Sequence, residues 1–292
     1  MKKLRVGTRK SPLAMRQTQI VIDLLKAVAP EIECEVVGLS TKGDRLQKAD
    51  LTKIGGKGVF VKEVEYQLQQ GLIDFAVHSL KDMPAKLPSD LLLAATPQRA
   101  LALDCLILKE EVDLNRPLTI GTSSIRRAKQ LANQFPQMRF VPIRGKIETR
   151  LKKMVTENLD GTVLACAGLE RMNYFDILDE YQILAPEICV PAVGQGILGI
   201  ECCKNDNELC QLLSKINHLE TYQAALAERY LLEQMDGNCD VPIGAYAKKL
   251  ADGEWCFYGF LAENRESDGE KVVLTGSDPL SLAKKAMKKL SY

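Results

Sequence analysis

The sequence lacks the long apolar runs of membrane proteins, because no stretch of about 18 consecutive apolar residues occurs in it. Its first residues, Met1–Gly7, turn polar without an apolar core, so we expect no secretory signal peptide. The nine cysteines are scattered, and no two have Cys-x-x-Cys spacing. An odd number of scattered cysteines is typical of a reducing compartment, which predicts a cytoplasmic protein without a disulfide framework.

Histidine and net charge are also scarce. The two histidines, His78 and His218, lie far apart without ligand-like spacing, so we expect no zinc site. The 39 Lys and Arg residues nearly balance the 38 Asp and Glu residues, and the net charge is +1. This balance argues against broad nucleic-acid binding, so the basic residues must act locally. A hydrophobic content of 46% over 292 residues supports the cores of two or three soluble domains.

Strand and helix patterns alternate along most of the chain. The first set begins with a strand at Leu4–Thr8 and a helix that Ser11 and Pro12 start, and a second set begins near residue 100. From about His218 the pattern changes to a helix, three short strands and a final helix. The fold class is therefore α/β, with a largely parallel sheet in each of the first two sets and a third, α+β domain.

Two junctions between a strand and a helix are alike, Val6–Arg9 and Ile120–Ser123. Each directs the backbone N–H groups and the positive end of a helix toward whatever binds there, and nearby hydroxyls and arginines add to this. The pair suggests two lobes that bind one anionic ligand. For Arg126 and Arg127, a solvated helix face remains the alternative, although their place in a first helical turn argues against it.

A single cysteine lies in a tight turn, Gly237–Gly244, and a single acid, Asp82, lies among basic residues in Val77–Pro84. A cysteine such as Cys239 is more often a small buried apolar residue, but this turn can present its side chain outward. The glycine-rich segment Gly55–Gly58 lacks the full spacing of a phosphate-binding loop and is interpreted as a mobile loop. Together these features suggest an enzyme that handles a polyanion and carries a group on sulfur.

Five segments resemble motifs of the porphobilinogen deaminase family. In chain order they are Val77–Pro84, Gly121–Arg127, Arg144–Arg150, Pro191–Gly196 and the Cys239 turn. The resemblance runs from Arg5 to the last helix and implies three domains, of which the first two resemble a two-lobed (type II) periplasmic-binding-protein fold. It implies that residues 1–98 and 192–216 form domain 1, residues 99–191 form domain 2, and residues 217–292 form a small α+β domain 3 with an antiparallel sheet.

The resemblance also implies an activity. Family members are transferases of tetrapyrrole and haem biosynthesis that condense four porphobilinogens head to tail with release of ammonia, then hydrolyse off hydroxymethylbilane. The primer is a covalent dipyrromethane cofactor, made from porphobilinogen and held by a thioether, here to Cys239. The resemblance further implies a cytoplasmic monomer without a metal, bound to neither membrane nor nucleic acid, whose product passes to uroporphyrinogen-III synthase.

Residue roles carry over position by position. Asp82 matches the catalytic acid, which can stabilise positive charge and shuttle protons. Arginine side chains bind carboxylates in pairs of hydrogen bonds, and each pyrrole carries an acetate and a propionate. The residues that match cofactor contacts are Ser79, Lys81, Asp82, Ser124, Arg126, Arg127, Arg150 and Cys239. Those that match substrate contacts are Arg9, Ser11, Lys53, Lys57, Phe60, Arg144, Arg150 and Arg171.

The sequence departs from the family most clearly at Leu101, Ala102 and Leu103, where relatives usually carry an acid, a proline and an arginine. This stretch matches the hinge between domains 1 and 2, so we expect altered hinge ion pairs but unaltered chemistry. Two other classes remain open, a two-lobed anion-binding protein and a thiol-dependent hydrolase. Neither needs both Asp82 and Cys239, and no histidine has a convincing relation to Cys239.

Overall fold

The structure is a computed structural model, and it describes residues 3–39, 59–110, 112–113, 115–235, 241–262 and 268–290. The chain divides into two compact units. The first consists of Met1–Arg99 and Ile197–Cys239, and the second of Ala100–Gly196 and Asp240–Tyr292.

The secondary structure alternates as the sequence predicts. The described strands are β1 (Lys3–Arg9), β2 (Glu33–Leu39), β3 (Phe75–Ser79), β4 (Leu91–Ala95), β5 (Asp104–Leu108), β6 (Leu118–Gly121), β7 (Met138–Val141), β8 (Gly161–Ala165), β9 (Tyr181–Leu184), β10 (Leu198–Cys203), β11 (Ile243–Lys249), β12 (Trp255–Leu261) and β13 (Glu270–Gly276). The described α-helices are α1 (Pro12–Val28), α2 (Val59–Gln69), α3 (Ile125–Gln134), α4 (Ile147–Thr156), α5 (Cys166–Arg171), α6 (Asn207–Ser214), α7 (Leu219–Gln234) and α8 (Pro279–Leu290).

The first unit is built on a five-stranded sheet of order β2-β1-β3-β10-β4. Strand β10 is antiparallel to both of its neighbours, whereas β1 is parallel to β2 and β3. Helix α1 begins where the sequence predicts, because the Ser11 hydroxyl accepts a hydrogen bond from the Ala14 N–H at 3.2 Å and Pro12 follows. Its buried face, with Val21 and Leu25, packs on the sheet core. The sheet thereby fixes the ends of β1 and β3 next to α1.

The second unit repeats this topology. Its sheet has the order β7-β6-β8-β5-β9, in which β5 is the one reversed strand among those described. Strands β1 and β6 therefore occupy equivalent positions, and each leads into the helix whose junction the sequence analysis singled out. A side chain on Gly7 or on Gly121 would collide with Ile73 or with Leu159 and Ile143 respectively, so both junctions depend on glycine for close packing.

Strands β11, β12 and β13 form an antiparallel sheet in the second unit, and α8 packs on β12 and β13. The predictions of an α/β fold class and of a small antiparallel sheet near the carboxyl terminus are thus confirmed. The two larger sheets were expected to be largely parallel but are mixed, because the reversed strand β10 or β5 pairs antiparallel with both of its neighbours. The strand β9 and the helices α5 and α6 were not predicted. The three-domain division stays a prediction, with one relevant observation: β10 lies in the sheet of the first unit, beside β3.

Candidate active site

A pocket in the first unit lies at the carboxyl ends of β1 and β3, the edge of a parallel sheet where ligands usually bind. Its volume is about 90 Å³. The lining residues come from β1, α1, α2, β3 and the turn after β3: Thr8, Arg9, Ser11, Leu13, Ala14, Gln17, Val61, Val64, Val77, His78, Ser79 and Asp82. The pocket thus gathers four of the predicted site residues, Arg9, Ser11, Ser79 and Asp82.

Asp82 ends a short 3₁₀ turn, Leu80–Asp82, that follows β3 directly. Leu80 is buried and its N–H donates to the carbonyl of Ile197, so the turn is fixed at its start. The hydroxyl of Ser79 is hydrogen-bonded to the amide of Gln17 on α1. Lys81 and Asp82 are half-buried beside these anchored residues.

The loop after Asp82 is held from α7. The guanidinium of Arg229 is almost fully buried, and its Nη2 donates to the carbonyl oxygens of Pro84 and Ala85 at 2.9 and 2.7 Å. Ala225, one turn earlier on α7, packs with Leu80 and Met83. Burial lowers the pKa of Arg229, so its hydrogen bonds to the loop are made at the cost of desolvating a charge. This anchor was missed by the sequence analysis, since nothing in the pattern of α7 relates it to Val77–Pro84.

Three ionisable side chains of the first unit are buried: Glu65 on α2, His78 on β3 and Glu201 on β10. Of these three, His78 lines the pocket. Nε2 of His78 lies 3.1 Å from Oε2 of Glu201, an ion-pair distance, although the geometry does not make it a hydrogen bond. Burial, and then the neighbouring Glu201, raise the pKa of Glu65 to about 7. The sequence predicts a packed or surface histidine at position 78 and gives no signal for either glutamate.

Replacing Glu65 with Gln is expected to stabilise the protein at high pH only. The folded pKa of about 7 lies above the unfolded value of 4.5, so ionising Glu65 penalises the fold above pH 7, and the penalty vanishes as the pH falls toward 4.5. We expect the free energy of unfolding of Glu65→Gln to exceed that of wild type by roughly 2–3 kcal/mol at pH 8 and to differ little from it at pH 5. Urea unfolding at both pH values measures this. The exposed control Glu33→Gln should show no such pH dependence, and an equal gain at both pH values would contradict the prediction.

In the second unit, Arg126 and Arg127 share a fully buried carboxylate, Asp104 on β5. Nη1 of Arg126 lies 2.8 Å from Oδ2 of Asp104, and Nε and Nη2 of Arg127 donate to Oδ1 at 3.0 and 2.7 Å. The amide of Gln195 donates to the same Oδ1 at 2.9 Å. Burial alone would raise the pKa of Asp104, but the two guanidinium groups outweigh it and hold that pKa well below its usual range.

These contacts occupy only part of the hydrogen-bonding capacity of the Arg126 guanidinium group. All its side-chain contacts with described residues go through Nη1, which also donates to the carbonyl of Val190. Arg127 additionally donates from Nη1 to the carbonyl of Val163 at 2.8 Å. Ser124 caps α3 by accepting from the N–H of Arg127, as its position predicts. The donors Nε and Nη2 of Arg126 therefore remain for a further acceptor.

Comparison with known proteins decides the family. Residues 4–211 match the family model described as porphobilinogen deaminase, dipyromethane cofactor binding domain, and residues 222–291 match the porphobilinogen deaminase C-terminal domain. The chain belongs to the porphobilinogen deaminase family. The porphobilinogen deaminase of Staphylococcus carnosus strain TM300 is 44% identical over 288 residues, which cover 97% of this chain and 93% of that protein. That of Staphylococcus aureus strain MRSA252 is 44% identical over 294 residues, 99% of this chain and 95% of that protein.

Solved structures resemble the chain more distantly. The VFT2 domain of Bordetella pertussis BvgS (double mutant) has 15% identity and a TM-score of 0.42, covering 80% of this chain and 91% of that one. The probable amino-acid transporter binding protein ytmK of Bacillus subtilis has 11% identity and a TM-score of 0.44, covering 79% and 97%. The family assignment rests on the sequence relatives.

The residues of the second unit fit the family's dipyrromethane cofactor, which carries several carboxylates. Arg150 and Arg171 are half-buried, and neither forms an ion pair with a carboxylate of the described residues. Instead, Arg150 donates to the carbonyl of Gly145 and Arg171 to that of Gly196. Burial lowers the pKa of both arginines, which an anionic partner would oppose. Such guanidinium groups suit a ligand with carboxylates.

The remaining predicted site residues are less well placed by the structure. Arg144 is exposed, just before α4. Phe60 lies in the first turn of α2, while Lys53, Lys57 and Cys239 lie outside the described residues. Within the described ranges there is neither a group of three metal-ligating side chains nor a helix long and apolar enough to span a membrane.

Proposed function

We propose that this chain is the transferase hydroxymethylbilane synthase, which condenses four porphobilinogens on a dipyrromethane primer and hydrolyses off the linear tetrapyrrole. The observation that carries the proposal is family membership over nearly the whole chain. We further propose a cytoplasmic, monomeric protein whose cofactor is held by a thioether to Cys239 and whose product passes to uroporphyrinogen-III synthase.

The two units take different roles in this reaction. When bound, the dipyrromethane supplies the nucleophilic pyrrole carbon to which substrate is joined. In the second unit, Arg126, Arg127, Arg144, Arg150 and Arg171 bind carboxylates, and Ser124 adds a hydroxyl. In the first unit, Arg9, Ser11, Ser79 and Lys81 bind anionic groups near Asp82, with Lys53, Lys57 and Phe60 supporting them. Asp82 faces positive charge that develops as ammonia departs, and its carboxylate stabilises that charge and carries the proton.

The mass of the purified protein tests this function against its rivals. A permanent adduct that yields a dipyrromethane colour with Ehrlich's reagent, together with production of hydroxymethylbilane from porphobilinogen, is expected. An unmodified chain that binds porphobilinogen without consuming it would favour an anion-binding protein. An adduct that forms and disappears with a substrate would favour a thiol-dependent hydrolase.

Asp82→Asn is expected to retain the adduct but to slow each condensation by about 10²-fold or more, because the amide can neither hold the negative charge nor accept the proton. Single-turnover kinetics on adduct-bearing protein measures this step. The matched control is Asp23→Asn, an exposed aspartate on α1, which should leave the rate unchanged. A normal condensation rate in Asp82→Asn would mean that another group stabilises the charge and accepts the proton.

A further inference from the structure

The cluster of Glu65, His78 and Glu201 has no structural explanation in hydrogen bonding. Among the described residues, no hydrogen-bond partner exists for Oε1 of Glu65, for Nε2 of His78 or for either carboxylate oxygen of Glu201. All three side chains are at least nine-tenths buried. Leaving several polar atoms unpaired in a protein interior is costly, so such a set calls for a function that compensates it.

The three residues come from different elements, and the contact that joins two of them is the 3.1 Å approach of Nε2 of His78 to Oε2 of Glu201. In the pairing of β3 with β10, His78 lies opposite Gly199, and Glu201 lies two residues further along β10. Glu65 interacts electrostatically with both of them from α2. His78 and Asp82 both line the pocket, so one member of the cluster borders the same cavity as the predicted catalytic carboxylate.

We propose that Glu65, His78 and Glu201 form a proton relay that exchanges protons with Asp82 through the shared pocket. The relay rests on the proposed function, in which each condensation breaks the C–N bond of the aminomethyl group in its protonated, ammonium form, with the electron pair of the bond leaving on ammonia, and forms one C–C bond. The C–H bond at the joined pyrrole carbon then breaks, its electron pair returns to the ring, and the proton goes to Asp82. His78 passes that proton to the buried carboxylates, and the cluster releases it to solvent, where ammonia takes it up as ammonium.

The chemistry of the cluster suits this task. Two carboxylates close together in a buried site resist carrying two negative charges, so one of them binds a proton near neutral pH. The pKa of Glu65, about 7, places that proton where it can be both accepted and released at physiological pH. The pocket of about 90 Å³ that His78 and Asp82 both line has room for water molecules that can carry a proton.

The charges around the cluster leave the pKa of Glu65 near 7. Lys62 on α2 lowers the pKa of Glu65, whereas Asp90, just before β4, raises it, both less strongly than burial and Glu201 do. Arg229 from α7 and Cys203 from β10 interact with Glu201. Asp82 is the ionisable group nearest in sequence to His78 that shares its pocket. From α7, Arg229 therefore both hydrogen-bonds to the loop after Asp82 and interacts electrostatically with Glu201 of the cluster.

Histidine NMR tests the relay directly, because the chain has two histidines and His218 serves as an internal control. His218 caps α7 and interacts with Thr221. In the full chain, we expect the imidazole nitrogens of His78 to show a chemical-shift step near pH 7 that reports protonation of Glu65. The step should be lost in Glu65→Gln and kept in the exposed control Glu33→Gln, with His218 unchanged in all three.

Turnover supplies the second readout. Glu65→Gln should keep its adduct but condense porphobilinogen roughly 10- to 100-fold more slowly, the usual cost of losing a group that supports a catalytic residue, and its rate should lose the dependence on pH near 7. If Glu65→Gln does not fold, Glu201→Gln removes the partner of His78 and gives the same test. A retained step in Glu65→Gln, or wild-type rates across the pH range, would overturn the relay. If the wild-type protein shows the chemical-shift step of His78 but consumes no porphobilinogen, the proposed function is overturned, whereas the coupled protonation of the cluster is retained.

Discussion

Cys239→Ser is expected to fold and to carry no covalent dipyrromethane, with complete loss of turnover. A thiolate is a good nucleophile at neutral pH, whereas a serine hydroxyl without an activating base is not, so the thioether cannot form. Without the permanent anchor the growing chain has no attachment, and elongation cannot be sustained. Intact mass and the colour with Ehrlich's reagent measure the adduct, and hydroxymethylbilane production measures turnover.

Another cysteine provides the matched control for this experiment. Cys34 on β2 is partly buried and lies in the first unit, and Cys34→Ser should keep both adduct and activity. Equal adduct in Cys239→Ser and wild type would move the anchor to another residue. Loss of the adduct in Cys34→Ser, with the adduct retained in Cys239→Ser, would assign the anchor to Cys34.

Much of the fold could be predicted from the sequence, because local signals determine its elements. Ser11 with Pro12, and Ser124 before α3, mark helix starts by chemistry that acts within one turn, and the structure places both caps as predicted. The two strand-to-helix junctions were recognised for the same reason. The equivalence of their positions in two sheets of the same topology was visible only in the structure, since strand order depends on pairing between distant segments.

The contacts that shape the candidate site could not be predicted from pattern, because they join residues far apart in sequence. Asp104 meets Arg126 and Arg127 across the packing of β5 and α3, and the insertion of β10 beside β3 brings Glu201 to His78. The sequence predicts altered hinge ion pairs around Leu101–Leu103, and this stays a prediction. On either side of that stretch, Arg99 pairs with Glu228 at 2.5 Å in the first unit, and Asp104 pairs with Arg126 and Arg127 in the second.

The pairing of Asp104 bears on the prediction that Arg126 and Arg127 bind ligand carboxylates. The fully buried carboxylate neutralises part of two charges and fixes both guanidinium groups in direction, which preorganises them for an external anion. Gln195 donates both to Asp104 and to the carbonyl of Ala102, so it joins this network to the segment that departs from the family. If Arg126 and Arg127 bind ligand carboxylates, as proposed, Asp104 is a positioning residue for both of them.

Asp104→Asn is expected to lower the free energy of unfolding by about 3–5 kcal/mol, because it leaves two buried guanidinium groups without their carboxylate. The low pKa of Asp104 means that its stabilising charge is complete at neutral pH and is lost only as the pH falls through the folded pKa, so the deficit should be full at pH 7. Urea unfolding at pH 7 measures it.

An exposed ion pair, between Lys153 on α4 and Glu157 just after it, supplies the comparison. Glu157→Gln should lower the free energy of unfolding by less than about 1 kcal/mol. Asp104→Asn protein that still folds should also assemble its dipyrromethane poorly, because Arg126 and Arg127 lose their fixed direction. A loss in Asp104→Asn no larger than in Glu157→Gln would contradict the buried network. A large loss of stability with normal cofactor assembly would leave Asp104 a purely structural residue.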